Sequence, residues 1–193
     1  MTAIDTGGKR YAVVYVDPPW RFATWSAKGM GRSADNHYST MSLADIKALP
    51  IPSIMARDAT VYLWEVPCMR KHAMESLVAW RLEFKAEIVW VKDSIGTGLR
   101  VRGQHENLLI ATRGRPPKLA YRPPSVVQAP RPSRLHSAKP AIIAEIIERI
   151  HPGQDKIELF ARTRREGWDS WGDELEPALC YPASCTSTSA DGK

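Results

Sequence analysis

Tyr11-Ala12-Val13-Val14-Tyr15-Val16-Asp17-Pro18-Pro19-Trp20 decides how the rest of this chain is read. Residues 11–16 form a short, apolar, β-branched run without polar alternation, which marks a strand buried on both faces of a parallel sheet rather than an amphipathic edge strand. Asp17 ends it. Pro18 and Pro19 fix their own φ angles, push the residue before them out of helical conformation, and remove two N–H donors while keeping their carbonyls. The product is a rigid loop that only accepts hydrogen bonds at those positions. In an open parallel sheet, ligands bind beyond the carboxyl ends of the strands, so Asp17 stands where a catalytic side chain belongs. The competing reading is a plain strand-terminating turn with Trp20 as a core residue, since Asp and Pro both favour turns.

Working outward, residues 60–64, 87–91, 107–112 and 156–161 read as further buried strands, and 43–49, 68–80 and 140–150 carry helical apolar spacing. Strands alternating with helices predict an α/β fold, a mostly parallel twisted sheet with helices on both faces. A chain of 193 residues suits one domain. We place a short lead at 1–10, the domain at 11–175, and a mobile tail at 176–193, where Ser, Thr, Ala and Pro dominate without periodicity. Two loops, at 21–38 and 113–134, are long enough to suggest function.

Composition narrows the class. With 44% hydrophobic and 25% charged residues, the chain is an ordinary globular one, neither disordered nor membrane-embedded. No stretch is long and apolar enough to cross a bilayer and the first ten residues lack a signal-peptide core, so a cytoplasmic, nucleoid-associated protein is expected. Cys68, Cys180 and Cys185 are odd in number and lack the paired short spacing of zinc sites, which predicts free thiols and no metal. The formal charge of +6 favours a polyanionic partner.

The acceptor loop suits one kind of chemistry. An exocyclic amino group on a nucleobase carries two N–H donors, and its lone pair is delocalised into the ring, so it is a poor nucleophile. Asp17 and the Pro18 carbonyl can each accept one of those protons, drawing the nitrogen toward tetrahedral geometry. Trp20 is then expected to stack on the base, a contact worth about 1–3 kcal/mol in single-strand binders.

The loop resembles motif IV of amino methyltransferases, and its Trp variant resembles the MT-A70 family of adenine-N6 methyltransferases. Tyr38-Ser39-Thr40-Met41-Ser42 is similar to the Tyr-x-Thr-Met-Ser that follows the catalytic loop there. The resemblance implies a Rossmann-like methyltransferase domain with permuted motif order, S-adenosylmethionine as cofactor, and Asp17, Pro18, Pro19, Trp20 and Tyr38 as catalytic residues, Tyr38 closing over the site. Ser42 also suits the N-cap of the helix that follows.

In the second half, His136-Ser137-Ala138-Lys139-Pro140 precedes a helix, which puts Lys139 near its positive end, where an anion is at home. A matching His-x-x-Lys-Pro in the family binds the methionine carboxylate, a role the resemblance carries to Lys139. Residues 156–162, ending in Arg162, and the later Gly167-Trp168 and Asp173-Glu174 resemble the family's C-terminal signature. By that resemblance Arg162, Asp173 and Glu174 line the nucleoside part of the cofactor, with Glu158 and Asp17 as further cofactor-binding residues. Asp173 departs from the family's usual Asn and can accept but not donate. Asp5 is a weak substitute for an acidic residue that larger family members carry upstream of the loop.

A base inside a duplex cannot reach such a loop, so the target must be single-stranded or flipped out. Arg113, Arg115, Lys118 and Arg122, with Arg131 and Arg134, suit a phosphate-tracking arm, and Lys92, Arg100 and Arg102 a second basic rim. His105-Glu106 resembles a family dipeptide that orders the active-site loop. DNA is the favoured substrate, in a bacterial or phage setting; RNA stays open, because nothing here reads a 2′-hydroxyl. A non-catalytic nucleic-acid-binding partner is the rival from another class, and a homodimer would enlarge the target-recognition surface.

Overall fold

The computed structural model describes residues 4–21, 40–96, 100–132, 138–172 and 175. Among them, one sheet holds seven strands in the order β5-β3-β4-β2-β1-β6-β7. The strands are β1 (Tyr11–Val16), β2 (Met55–Glu65), β3 (Glu83–Val91), β4 (His105–Arg113), β5 (Val126–Gln128), β6 (Lys156–Leu159) and β7 (Asp169–Trp171). β1 pairs in parallel with both β2 and β6, and β6 with β7. β4 alone runs against its neighbours β2 and β3, so the sheet is mostly parallel, as expected. The chain leaves β1 toward β2 on one side and fills β6 on the other, which makes the end of β1 the topological switch point where a crevice opens.

Side chains alternate across β1. Val14 and Val16 face one core with Ile46 of α1 (Leu43–Lys47), Ile51 and Ile54 of α2 (Ile51–Ile54), and Ala73 and Leu77 of α3 (Arg70–Ala79). Val13 and Tyr15 face the other with Ile143, Ala144, Ile146, Ile147 and Ile150 of α4 (Ala141–Ile150). Helices thus cover both faces. Their starts follow local chemistry: the Ser42 hydroxyl accepts the Asp45 N–H at 3.2 Å and caps α1, as its position predicts. No helix among the described residues is long and apolar enough to cross a membrane.

Three elements depart from the sequence reading. β5 lies inside what reads as a loop, and β7 and α2 read as no element; each is three or four residues long, too short for periodicity to register. The larger correction concerns the proposed phosphate-tracking arm. Arg113 pairs with Ala59, six residues before the carboxyl end of β2, which places it about 20 Å from that end. Its guanidinium is occupied by carbonyls of the α2–β2 junction: Pro52 at 2.9 Å, Met55 at 2.8 Å and Ala56 at 2.6 Å. The Arg115 N–H donates to Asp58 Oδ1 at 2.7 Å, and Gly114, at φ +67°, lies so close to Asp58 that a Cβ there would overlap it. Lys118 and Arg122 flank Ala120, whose N–H donates to the carbonyl of Ile150, at the far end of α4. All four basic residues therefore sit at the end of the sheet away from Asp17. Arg100 and Arg102 are on the loop between β3 and β4, at the same end as Asp17, and stay exposed.

Two outcomes follow for stability. His151, 1% exposed, shares a 2.9 Å hydrogen bond with the Tyr62 hydroxyl, and burial, with Lys156 nearby, pushes its pKa down to about 4 from 6.5. As pH falls, the unfolded chain takes up this proton first. Stability is therefore complete above about pH 6.5, declines between 6.5 and 4, and levels off below, by about 3 kcal/mol in all. Urea unfolding at stepped pH should show that slope in the native protein and lose it in His151→Gln. Arg113→Ala should cost about 2–3 kcal/mol by leaving three carbonyls without their donor, while nucleic-acid affinity and its salt dependence stay unchanged; a weaker, less salt-sensitive complex would restore the arm.

Candidate active site at the carboxyl end of β1

The acceptor loop is pinned from both sides. The Trp20 N–H donates to the Pro18 carbonyl at 2.8 Å and the Met41 N–H to the Pro19 carbonyl at 2.9 Å, where Trp20 and Met41 form an isolated parallel bridge. Pro18 keeps one carbonyl lone pair for a ligand. Trp20 does not take the role expected of it. Its indole is 5% exposed, packs in the core beside α1–α3, and donates Nε1–H to the Trp64 carbonyl at 3.0 Å. A ring with both faces buried cannot stack on a base, so Trp20 fixes the loop rather than the substrate. The competing core reading holds for this residue, while Asp17 keeps a side chain that is 30% exposed.

Asp17 is the open member of a buried charge chain. The Lys139 ammonium, just before α4, lies 2.7 Å from Asp17 Oδ2 and 3.3 Å from Glu106 Oε2, and the Lys92 ammonium lies 2.5 Å from Glu106 Oε1. Side-chain exposure is 30% for Asp17 and only 10–12% for Lys139, Glu106 and Lys92. Because β4 is antiparallel, its first residues meet the carboxyl ends of β2 and β3, and this brings Glu106 to the site. The ammoniums rest on aromatic faces: Lys139 is 5.4 Å from the Trp64 ring and Lys92 5.1 Å from that of Trp90.

Burial is the main force raising the Asp17 pKa; Lys139 and Arg162 pull it down, Glu106 pushes it up, and the net is upward. For Lys139, burial lowers the pKa, but Asp17 and Glu106 together overcome it and hold the ammonium charged. For Glu106, burial works upward and is likewise outweighed, by Lys139 and Lys92, so its carboxyl is held below its usual range. Glu158, on β6 beside Tyr15, is raised by burial; its Oε2 lies 3.8 Å from Arg165 and has no hydrogen-bond partner among the described residues.

The structure thus brings together Asp17, Pro18, Pro19, Lys139 and Glu158, with Arg162 close enough to act on Asp17. Tyr38, Asp173 and Glu174, like His136 and Arg134, lie outside the described residues. Gly172 crosses the end of β6 closely: a Cβ there would come within 2.3 Å of the Ala161 carbonyl, so the turn that follows β7 requires glycine. Sequence reasoning missed the aromatic floor of Trp64 and Trp90 and gave Lys92 to the exposed rim. A signal exists in hindsight, since each Trp stands at a strand's carboxyl end next to or near a charge, in Trp64-Glu65 and Trp90-Val91-Lys92.

Comparison with known proteins gives the family. The MT-A70 family profile matches residues 11–174. The type II methyltransferase M.MunI of a Mycoplasma species is 31% identical over 185 residues, covering 86% of this chain and 78% of M.MunI. The N(6)-adenine-specific methyltransferase METTL4 of Mus musculus is 33% identical over 87% of this chain, which spans only 38% of METTL4. The N6-methyladenosine RNA methyltransferase MTA1 of Pyricularia oryzae is 30% identical over 90% of this chain and 49% of MTA1. With an acceptor loop, a lysine and a strand order that suit the family's chemistry, and a match along nearly the whole described domain, the chain belongs to the MT-A70 family.

Proposed function

We propose that this protein transfers a methyl group from S-adenosylmethionine to N6 of adenine in DNA. The observation that carries the reading is the Asp17 carboxylate, held at the switch-point end of β1 by Lys139 and still open to a ligand. The residues fit the cofactor: Lys139 supplies a fixed positive charge for its carboxylate, and Glu158 Oε2, buried and without a hydrogen-bond partner among the described residues beyond its 3.8 Å ion pair with Arg165, suits a hydroxyl or ammonium donor. When bound, S-adenosylmethionine supplies a methyl on a cationic sulfur, whose S–C bond breaks as the new C–N bond forms.

The chain's part is to position and to accept. Asp17 takes one amino proton in a hydrogen bond and the second lone pair of the Pro18 carbonyl takes the other, which orients the N6 lone pair toward the methyl. Holding both reactants this way supplies up to about 7–11 kcal/mol of the barrier in well-oriented systems. After transfer the amino nitrogen sheds a proton, and Asp17, whose pKa burial raises and which already accepts from that nitrogen, takes it. Tyr38 as the residue that closes over the base, and Arg162, Asp173 and Glu174 as contacts to the nucleoside, belong to the same proposal and rest on the family resemblance.

DNA is favoured because a relative matched along 78% of its own length is a type II methyltransferase. Similarity at nearly the same level to an RNA enzyme favours RNA as the second reading. Arg100 and Arg102, exposed at the site end, are the proposed phosphate contacts.

Labelled methyl transfer to matched single-stranded DNA, duplex DNA and RNA, with the product nucleoside identified, should yield N6-methyladenine in DNA; transfer to RNA alone would select the second reading, and none to any polymer would sink the activity. Asp17→Asn, which keeps a side-chain oxygen against Lys139 but loses the carboxylate that accepts the amino proton, should reduce transfer about a thousandfold or more while cofactor affinity falls less than in Lys139→Ala. Lys139→Ala should weaken cofactor binding about tenfold or more by removing the cation for its carboxylate. Calorimetric titration separates the two, and equal loss of affinity in both would undo the assignment.

A further inference from the structure

We propose that Lys92 is a positioning residue of the methyl-transfer site, acting through Glu106 on Lys139, and not a nucleic-acid contact; this rests on the reading of Lys139 as the ligand of the cofactor carboxylate. Lys92 follows β3 in a basic stretch, and from sequence it belongs with Arg100 and Arg102. In the structure it is turned inward. A phosphate contact needs an ammonium that solvent can reach, whereas the Lys92 side chain is 12% exposed and its charge is committed to Glu106 at 2.5 Å.

Glu106 divides its two oxygens between two cations, Oε1 to Lys92 and Oε2 to Lys139. That division sets where Lys139 stands. The surrounding frame is stiff: the Trp64 and Trp90 rings that carry the two ammoniums meet edge to face at 6.0 Å. Trp64 Nε1–H donates to the Tyr15 hydroxyl at 2.6 Å and Trp90 Nε1–H to the Ala129 carbonyl at 2.8 Å. Removing the Lys92 charge changes two things. Both oxygens of Glu106 become available to Lys139 and draw it from Asp17. The group of two carboxylates and two ammoniums also goes from neutral to net negative, which repels an incoming carboxylate. Lys92 touches neither cofactor nor base in this scheme; its effect is relayed.

The test uses the full chain with Lys92→Met, Lys92→Arg, Glu106→Gln and the Lys92→Met/Glu106→Gln pair. Affinity for S-adenosylmethionine and S-adenosylhomocysteine is read by calorimetry, and affinity for single-stranded DNA at several salt concentrations. Lys92→Met should weaken both cofactor forms about tenfold or more while DNA affinity and its salt slope stay unchanged. Lys92→Arg should return to within about threefold of the native protein, and the pair should lose little beyond Glu106→Gln alone, because the two residues act in series. Should Lys92→Met fail to fold, the arginine variant and the pair, in which no unpaired carboxylate is left behind, carry the same comparison. Native cofactor affinity in Lys92→Met, or weaker DNA binding with a salt slope smaller by about one, would overturn the proposal and return Lys92 to the rim. A native protein that binds neither cofactor form overturns the functional reading and this proposal with it, whereas native binding with an unaffected Lys92→Met overturns this proposal alone.

Discussion

Lys139 is a cation removed from water, and the site depends on how that burial is made tolerable. Stripping solvent from an ammonium costs several kcal/mol unless fixed opposite charge replaces it. Here the replacement comes from two strands at once, Asp17 after β1 and Glu106 at the start of β4, with the Trp64 ring of β2 beneath. One nitrogen therefore ties together the ends of three strands and the approach to α4. None of these ends can drift without leaving a buried charge unpaired, a far larger loss than any one surface contact would impose.

The antiparallel course of β4 is what allows this. Were β4 parallel to its neighbours, its last residues, not Glu106, would meet the end of β2, and Lys139 would have one carboxylate instead of two. The acceptor loop is held by a second, uncharged device. Trp20 lies in the core and reaches the Trp64 carbonyl, so the residue beneath Lys139 also anchors the loop that carries Asp17. Rigidity at Asp17 is bought by spending the aromatic ring that sequence assigns to the base. Fixed acceptors that need no reorganisation are the more valuable use, because catalysis by positioning depends on geometry already in place when substrate arrives.

Much of this was legible in the sequence, for identifiable reasons. The run 11–16 lacks alternation because β1 is buried on both faces, and strands of that kind announce themselves; Lys139-Pro140 and α4 were visible because the helix carries a clear apolar stripe. Trp20 was misjudged because a Trp beside a candidate catalytic Asp has two good uses, core and stack, and only packing chooses between them. The basic residues of 113–122 were misplaced because charge has no direction along a chain: nothing in Arg113-Gly114-Arg115 says at which end of the sheet β4 stops. Lys92 failed for the same reason in reverse, since its partner Glu106 is close in sequence only through a loop whose path cannot be read from composition.

The formal charge of +6 is thus a poor map of which positive charges stand free near the site. Part of it is structural, as in Arg113, whose guanidinium is consumed by three carbonyls, and part lies about 20 Å from the chemistry. At the site end, the interior is balanced by pairs, and the excess positive charge is carried by exposed residues around it, Arg100, Arg102 and Arg131. This separates two electrostatic jobs. Exposed cations attract a polyanion over distance and lose strength as salt rises, since the screening length is about 8 Å at physiological ionic strength. Buried pairs at hydrogen-bond distance are screened far less. The paired geometry of Asp17 and Lys139 is therefore far less sensitive to salt than the field of the exposed cations around it.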